Sequence, residues 1–395
     1  MNLTDYAVDD VITLVRRPVI PEGGEEYQEI GIRSFGNGIF HKEPVDGHEI
    51  AAKKVFSVEP GDLVFSNVFA WEGAVALAAD SEKGMIGSHR FMTYRVNEEI
   101  ADVRYLLPYF YGGPGLDVIR QASPGSAGRN RTLGIKAFGA KRVTLPDLAE
   151  QRRVADRLDA AMGTRNRLHA KISDRANLVR STLDSLEEYV FEDCLARGWR
   201  MGPMHSLAEV NPKTERPTET ENVAFVPMAA LSDFKGEIDG ATYKVAGDVG
   251  AGYKLFRRGD VVFARITPCM QNGKSAIFQN DSVVHGFGST EFHVIRAHAE
   301  GDNRWIHRVV RSRRFRDAAL PFMTGTAGQQ RVPARYLQKV EIPIPPSSEE
   351  RDSALEVLDR IHEQRVRFRG LHIQEVGGVK SLRSALLDAA FSGRM

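Results

Sequence analysis

The sequence predicts an α+β protein in which two mixed α/β domains follow one another in tandem and each is followed by one long helix. Three observations support this fold class. First, motifs of the first half return in the second half at an offset close to two hundred residues. Second, short β-type runs with glycine turns alternate with long charged segments. Third, those long segments have apolar residues at heptad spacing. We expect domains at 1–143 and 199–342, helices at 144–198 and 343–395, and an antiparallel coiled coil between the helices.

Composition sets the outer limits of the interpretation. A chain of 395 residues is too long for one ordinary core, and 42% hydrophobic with 27% charged residues is a globular balance. The formal charge is only +1, so any basic surface must be local. Cys194 and Cys269 are the only cysteines, which excludes a disulfide framework and a four-cysteine zinc site. No apolar run reaches the roughly 20 residues of a membrane span and no signal peptide is evident, so we expect a cytoplasmic protein.

The first domain is a series of short β-type runs joined by turns. Its main features are predicted strands at 11–15, 55–58 and 63–65, a Pro60-Gly61-Asp62 turn, a glycine-rich loop or hairpin at 33–42, and a basic loop at 123–131. The second domain repeats this plan. Gly61-Asp62-Leu63-Val64-Phe65 returns as Gly259-Asp260-Val261-Val262-Phe263, and Gly125-Ser126-Ala127-Gly128-Arg129-Asn130-Arg131 returns as Gly325-Thr326-Ala327-Gly328-Gln329-Gln330-Arg331. The offset drifts from 198 to 201, which indicates a shared scaffold with loops of different length.

The two long segments have a sparse apolar seam. About 45 helical residues would extend about 70 Å, a length typical of a coiled coil rather than of a globular helix. Arg165, Arg175 and Arg365 interrupt the seam, and Gly377-Gly378 weakens the second helix. The residues expected to pair the helices are Leu158, Leu168, Ile172, Val179, Leu186, Leu358, Ile361, Phe368, Val379, Leu382 and Leu386.

Motifs for catalysis are scarce. Asn272-Gly273-Lys274-Ser275 resembles the end of a phosphate-binding loop, but the position that needs a glycine is Pro268. The histidines have no metal-ligand spacing, so no metal site is predicted. Asp62 and Asp260 are explained by turn chemistry. We therefore expect neither catalytic residues nor a cofactor bound by this chain.

Basic and amide side chains in the glycine-rich loops point instead to DNA. Glycines allow close approach to phosphates, and Arg, Gln and Asn can bond base edges in bidentate fashion. Ordinary solvent-exposed turns are the alternative at each position. The candidate DNA-binding residues are Arg33, His41, Lys42, Trp71, His89, Arg90, Arg129, Asn130, Arg131, Lys136, Lys235, the arginine that follows Ala264 (Arg265), Lys274, Gln329, Gln330, Arg331 and Arg335.

With these features the chain resembles the specificity subunits of type I restriction–modification systems. The resemblance rests on the run from Tyr27 to Phe40, the Pro60–Phe65 and Phe69–Ala74 runs, Gly87–Phe91, the helix entry Leu145-Pro146…Ala149-Glu150-Gln151-Arg152-Arg153, and the terminal Ala389-Ala390-Phe391-Ser392-Gly393. The second helix entry departs from this pattern, because it reads Pro345-Pro346-Ser347-Ser348-Glu349-Glu350-Arg351. That departure puts a symmetric docking of partners in doubt.

The resemblance implies a non-catalytic subunit that reads DNA. Its two domains would be target-recognition domains, each reading half of a bipartite site, and its helices would set the spacing and dock two modification subunits. Those partners would bring S-adenosylmethionine, and restriction subunits would add ATP and Mg. Two other interpretations stay open from the residues alone. One is a coiled-coil scaffold that binds protein rather than DNA, and the other is a self-contained nuclease or methyltransferase.

Overall fold

A computed structural model describes residues 3–50, 52–125, 131–326 and 328–395 of the chain. The chain divides into two compact units. Unit 1 comprises residues 1–171 and 376–395, and unit 2 comprises residues 172–375. Each unit therefore contains one sheet-rich domain together with a part of both long helices. This division differs from the four consecutive segments expected from the sequence, because each helix contributes one end to each unit.

Unit 1 is built on small antiparallel sheets. The largest has the strand order β10-β9-β12-β2, and a second has the order β11-β8-β3. Strand β1 pairs with β13, and two hairpin-like pairs, β4 with β7 and β5 with β6, complete the set. The elements are β1 (Leu3–Ala7), α1 (Val8–Val11), β2 (Ile12–Val15), β3 (Pro18–Val19), β4 (Glu26–Tyr27), β5 (Ile30–Ile32), β6 (Ile39–His41), β7 (Val45–Asp46), α2 (Gly47–Ile50), β8 (Val55–Ser57), β9 (Leu63–Ser66), β10 (Val75–Leu77), β11 (Ile86–Ser88), β12 (Phe91–Val96), α3 (Val103–Gly112), α4 (Pro114–Gln121), α5 (Ile135–Gly139), β13 (Arg142–Pro146) and the first part of α6 (Leu148–Ala196).

Unit 2 repeats the four-stranded sheet of this plan and differs in its second sheet. Its sheet β20-β19-β22-β15 has the order of the four-stranded sheet of unit 1, whereas its sheet β17-β16-β21-β18 contains one parallel pair, β16 with β21. The elements are β14 (Arg200–Pro203), β15 (Ala208–Val210), β16 (Asn222–Val226), β17 (Thr242–Val245), β18 (Lys254–Arg257), β19 (Val261–Ala264), β20 (Ser275–Ile277), β21 (His285–Gly288), β22 (Phe292–Ala297), α7 (Asp302–Arg311), α8 (Arg313–Ala319), α9 (Ala334–Lys339), β23 (Glu341–Ile344) and the first part of α10 (Ser348–Phe391).

The repeated Gly-Asp turn shows why the scaffold recurs. Gly61 and Gly259 both have positive φ, 85° and 88°, which glycine adopts without steric cost. The aspartate after each glycine is buried and accepts a backbone N–H three residues earlier in the chain. Asp62 lies 2.7 Å from the guanidinium of Arg95, and Asp260 lies 2.7 Å from that of Arg296. These contacts agree with the interpretation of both aspartates as turn residues.

Equivalent side chains also fix the start of each long helix. Gln151 is buried, and its amide donates to the carbonyls of Ile100 and Pro146 at 3.0 and 2.8 Å. Arg351 takes the same place in α10, donating to the carbonyl of Glu300 at 3.0 Å and to the carboxylate of Asp302 at 2.8 Å. The second helix entry therefore keeps the anchoring contact with different chemistry.

Within unit 1 the two helix ends run antiparallel. Arg153 donates to the carbonyl of Met395, and Arg165 donates to the carbonyl of Val379 at 3.3 Å, so rising numbers on α6 meet falling numbers on α10. Leu158 and Leu387 join a core that includes the aromatic rings of Phe65 and Phe110. This core holds the helix ends against the sheet domain.

Within unit 2 the same antiparallel pairing recurs. Arg175 pairs with Glu375, and Arg365 pairs with Asp184 at 2.6 Å. Further along, Phe191 and Leu358 belong to a core centred on Trp305. The pairing of antiparallel helices therefore holds in both units.

Individual seam residues differ from the sequence expectation. Leu168, Leu186 and Leu382 are 45%, 46% and 40% exposed, so the burial does not support them as helix-pairing residues. On α6 the predicted Ile172 is buried, together with Ala176, Leu183 and Val190, which were not predicted. Leu158, Leu358 and Val379 are also buried, whereas Val179, Ile361, Phe368 and Leu386 are half-buried. The buried residues differ from those predicted by heptad spacing because the sheet domains, and not only the partner helix, cover part of each helix.

Candidate nucleic-acid interface

A glycine-rich hairpin forms one edge of the candidate interface in unit 1. Strands β5 and β6 pair, and residues 33–38 form the loop between them, as predicted. Phe35 and Gly36 donate their backbone N–H groups to the carbonyls of Glu72 and Gly73, both at 2.8 Å. The Phe35 ring is 64% exposed at φ 62°, a backbone region that bulky residues rarely adopt. The hairpin therefore holds an aromatic ring in solvent on a strained backbone.

The hairpin loop is fixed to the end of α10. Arg383 donates to the carbonyl of Gly36 at 2.8 Å and to the side chain of Asn37 at 2.9 Å, and its guanidinium lies over the Tyr111 ring. Gly36 has φ 61°, and a Cβ there would lie 2.4 Å from the Tyr111 ring. Only glycine fits this approach, so the glycine places the loop against the helix.

Three further segments meet beside this loop. Trp71 lies immediately before Glu72 and Gly73, which the hairpin contacts, and the guanidinium of Arg131 lies 5.2 Å from its ring centroid. Asn67 links the other two segments, because its N–H donates to the carbonyl of Arg90 and its own carbonyl accepts from Leu133. We call Arg33, Phe35, Trp71, Arg90 and Arg131 the first loop cluster.

The remaining unit 1 candidates differ in how free their charges are. His41 lies 2.6 Å from Glu82, and Lys42 lies 3.2 Å from Glu29, so carboxylates partly offset both. The exposed side chains of His89, Arg90 and Lys136 have no side-chain partner within the described ranges. Arg129 and Asn130 lie outside the described residues.

In unit 2 the corresponding segments gather around one carboxylate. Glu291 accepts three hydrogen bonds from Arg331, the shortest at 2.7 Å, and one from Arg265 at 3.1 Å. Gln330 exchanges hydrogen bonds with Thr267, which joins the glycine loop to the β19 end. Hydrogen bonds from Arg331 lower the pKa of the Glu291 carboxyl and outweigh the burial that acts to raise it. We call Arg265, Glu291, Gln330 and Arg331 the second loop cluster.

Four other unit 2 candidates lie apart from this cluster's ion pairs. Lys274 points its amine at the carbonyl of Met228 at 3.2 Å, and Lys235 places its amine 6.0 Å from the Phe234 ring centroid. Gln329 and Arg335 are exposed. The turn before Lys274 has its backbone N–H groups bonded to nearby carbonyls, so the phosphate-loop resemblance has no geometric support.

The two clusters differ in charge at equivalent positions. Arg90 and Glu291 are equivalent, because each precedes the first phenylalanine of a strand, Phe91 or Phe292. The carbonyl of Arg90 accepts from the N–H of Asn67, and the carbonyl of Glu291 accepts from the N–H of Arg265. Unit 1 thus has an arginine where unit 2 has the carboxylate that neutralises two arginines. The same scaffold presents a cationic, aromatic surface in one unit and a balanced, hydrogen-bonding surface in the other.

Sequence reasoning missed several of these residues. They are Phe35, the exposed ring of the first loop cluster, and Glu291, the carboxylate that pairs with Arg331 in the second loop cluster. A further one is Phe322, whose ring stacks on that of Tyr336 with centroids 4.8 Å apart. Aligning the two halves at Arg90 would have revealed the charge reversal. Nothing in the sequence gives the exposure of Phe35.

In the described ranges, no group of three or more His, Cys, Asp or Glu side chains is placed to hold a metal ion. The helices described there also lack the combination of length and apolar character that a membrane span requires.

Comparisons of sequence give partial matches. No family model matches the chain. It is 36% identical over 182 residues to the type I restriction enzyme EcoEI specificity subunit of Escherichia coli, covering 46% of this chain and 30% of that protein. It is also 36% identical over 170 residues to the EcoAI specificity subunit of the same organism, covering 42% and 28%. The chain therefore matches less than a third of the length of either curated relative.

Comparisons of structure cover nearly the whole chain. A chain from a study of complex assembly and conformational transition of the type I R-M system matches with a TM-score of 0.71 at 17% identity, covering 98% of this chain and 97% of that one. The HsdS subunit from Thermoanaerobacter tengcongensis matches with a TM-score of 0.52 at 19% identity, covering 100% and 97%. The resemblance predicted from the sequence is therefore confirmed: this chain has the α+β fold of solved type I restriction–modification subunits and shares sequence with two type I specificity subunits.

Proposed function

We propose that this chain is the non-catalytic DNA-recognition subunit of a type I restriction–modification complex. Each sheet domain contacts one half of a bipartite site, and the paired helices set the distance between the halves. The observation that carries the proposal is the pair of loop clusters, built on one repeated scaffold but with opposite charge at the position of Arg90 and Glu291. Paired scaffolds with different surface chemistry suit two different half-sites.

The clusters divide naturally into contacts that position and contacts that discriminate. Arg33 and Arg131 lie over the half-buried rings of Phe40 and Trp71, and Arg90 is exposed nearby, an arrangement suited to phosphates and unstacked bases. Arg331 is held by Glu291, which fixes the plane of its guanidinium group and leaves only the N–H groups outside that ion pair for a contact with a base. The proposed interface therefore gains affinity from phosphates and specificity from oriented amide and guanidinium groups.

The chemistry is proposed to come from partners. Exposed apolar side chains on α6 and α10, among them Leu178, Tyr189 and Ile373, offer a surface for two modification subunits. Those subunits would supply S-adenosylmethionine, and restriction subunits would supply ATP and Mg. This chain would determine which DNA sequence is modified and the distance between its two halves.

A domain exchange tests the proposal. Residues 1–143 are replaced by the same region of another specificity subunit, and the methylated sites are read by single-molecule sequencing of a genome that carries the chain with its modification subunit. We expect one half of the methylated sequence to change and the other half and its spacer to persist. A change in both halves, or in neither, would contradict modular recognition.

A salt titration separates DNA recognition from a protein-only scaffold. With the modification subunit present, the logarithm of the duplex binding constant should fall linearly with the logarithm of the salt concentration. The reason is that release of counterions from the DNA dominates the affinity. A scaffold would bind its protein partner without any duplex shift.

A further inference from the structure

Unit 2 contains a cavity that neither loop cluster lines. It has a volume of about 540 Å³ and lies between α6, α7 and α10 and the loops at residues 233–234 and 271–273. Cavities of about 300–1,000 Å³ are the usual size for small-molecule sites. Its size and enclosure by three helices distinguish it from an open DNA-binding surface.

Six arginines line this cavity, and only some have a carboxylate partner. Arg365 pairs with Asp184 and Glu187, Arg308 pairs with Asp359, and Arg369 lies 3.7 Å from Asp233. In the part of the chain that the structure describes, the other three form no ion pair; they are Arg180, Arg311 and Arg316. The wall therefore has a surplus of positive charge.

Two of the unpaired guanidinium groups, those of Arg311 and Arg316, are held in place by backbone carbonyls. Arg311 donates to the carbonyls of Gly273, Asp233 and Phe234 at 2.9, 3.0 and 3.1 Å. Arg316 donates to the carbonyl of Arg311 at 3.1 Å and also to that of Gln271. Burial lowers the pKa of Arg311 to about 10, so it keeps its charge at neutral pH. The charge of Glu187 favours this guanidinium, whereas those of Arg308, Arg316 and Arg365 oppose it, so an anion in the cavity would offset the repulsion among the arginines.

His372 adds a second, independent sign of a missing partner. It lines the cavity, and its Nδ1 is buried without a hydrogen-bond partner among the described residues. It lies seven residues after Arg365 on α10, at the position that Ile172 holds on α6 two hundred residues earlier. A polar ring thus stands where the repeat has an apolar seam residue.

We propose that this cavity binds the phosphate group of a small phosphate ester that also carries an aromatic ring, such as a nucleoside monophosphate. Arginine forks match phosphate oxygens in geometry and charge. The rings of Phe234 and Phe368 lie in the same wall and supply apolar faces for a base. The proposal goes beyond DNA recognition, because it requires no contact with either loop cluster.

Calorimetry on the full chain tests the site. Inorganic phosphate, adenosine monophosphate and a short DNA duplex are titrated separately at constant ionic strength. We expect saturable binding of adenosine monophosphate at one site. The variants Arg180→Gln and Arg316→Gln should weaken it about tenfold, since each removes a charge-assisted hydrogen bond. Arg367→Gln is the matched control, an exposed arginine of α10 outside the cavity, and should leave the affinity unchanged.

Each outcome bears on the proposal. If the duplex displaces adenosine monophosphate and Arg180→Gln weakens duplex binding, the phosphate that binds in the cavity belongs to DNA. If adenosine monophosphate binds with the same affinity in the presence and absence of saturating duplex, the ligand is a free nucleotide. Absence of saturable binding by every probe, or an equal loss in Arg367→Gln, would overturn the site. Arg180 is exposed and forms no described hydrogen bond, so its variant keeps the test valid if Arg316→Gln fails to fold. Failure of DNA recognition would leave the nucleotide titration unaffected.

Discussion

Glu291 determines the chemistry of the second loop cluster. It receives Arg331 through a bidentate contact and Arg265 through a single hydrogen bond, and its side chain remains partly exposed. A partly exposed ion pair adds little to stability, so its main effect is to orient the guanidinium groups. In unit 1 the equivalent Arg90 repels such neighbours, which leaves Arg131 to stack on Trp71.

Replacing Glu291 by glutamine should raise non-specific affinity while relaxing specificity. The change removes one negative charge and frees the fork of Arg331, so an additional phosphate contact becomes available. We expect non-specific duplex affinity to rise several-fold and the salt slope to steepen by about one. Electrophoretic mobility shifts over a salt series would measure both quantities, with Glu237→Gln, an exposed carboxylate of the same unit, as the control. An unchanged slope with retained half-site specificity would argue that Glu291 has no part in DNA contact.

Phe35 offers a prediction in which stability and affinity move in opposite directions. The left-handed conformation costs an L-residue about 1–2 kcal/mol, and glycine avoids that cost. Phe35→Gly should therefore preserve or slightly raise the free energy of unfolding. Loss of the exposed ring should weaken DNA binding by about 1–3 kcal/mol if it stacks on or wedges between bases.

Urea denaturation and duplex titration of the same Phe35→Gly preparation give the two values. Ile20→Ala, which truncates another highly exposed apolar side chain of unit 1, is the control for general surface effects. A variant that loses stability and affinity together would assign Phe35 to packing rather than to DNA.

Sequence reasoning located the loops of the interface better than its chemistry. Trp71, Arg90, Arg131 and Arg331 lie in the loop clusters because glycine turns and repeated strands fix where those loops emerge. Lys274 was selected by residue type alone, and its amine is bonded to a backbone carbonyl. Exposure and ion pairing depend on contacts between segments far apart in the chain, which residue type does not encode.

Among the secondary-structure elements, both long helices place an arginine on their seam. Leu158, Arg165 and Ile172 are spaced by seven, and so are Leu358, Arg365 and His372. Arg165 bonds a backbone carbonyl of α10, whereas Arg365 bonds Asp184 and Glu187 of α6. A polar group at a seam position specifies register at some cost in stability.

Removing Arg365 should destabilise unit 2 far more than removing its neighbour Arg367. Arg365→Ala leaves Asp184 and Glu187 largely buried without their counter-charge. Loss of one partner from a fully buried pair costs about 3–5 kcal/mol, and partial exposure reduces this to about 2 kcal/mol. Arg367→Ala, at an exposed position, should change the free energy of unfolding by less than about 0.5 kcal/mol. Equal effects in urea denaturation would show that the ion pairs do not hold the helices.

Helix length was predictable, whereas the identity of each seam residue was not. The proline and glycine boundaries placed the helices within a few residues of Leu148–Ala196 and Ser348–Phe391. Heptad spacing tolerates several registers, and contacts with the sheet domains select one of them. Leu168, Leu186 and Leu382 fit the pattern yet remain exposed. The anchoring role of Arg351 was also hidden, because it replaces a glutamine with a different donor group.

At the scale of the whole molecule, the repeat conserves turns and helix anchors but not the buried histidines of unit 2. In unit 2, His293 and His307 are buried and His362 is half-buried, and burial lowers the pKa of each, to about 4 for His293 and His362. His293 donates through Nε2 to the carbonyl of Val332, and its Nδ1 faces the Asn211 amide, which fits a neutral ring. This distribution gives unit 2 an acid sensitivity that can be measured.

Unit 2 should lose stability as the pH falls from about 6.5 to 4. In this window the unfolded chain binds protons at these histidines and the folded chain does not, so protonation favours unfolding. Each group contributes about 1.4 kcal/mol per pH unit. Trp199 and Trp305 both lie in unit 2, so a Trp71→Phe chain reports its unfolding by fluorescence during urea titrations. The further change His293→Gln should lower the slope by about 1.4 kcal/mol per pH unit, because glutamine keeps the hydrogen-bonding groups without titrating. An unaltered slope would mean that carboxylates, rather than buried imidazoles, govern the acid response of this unit.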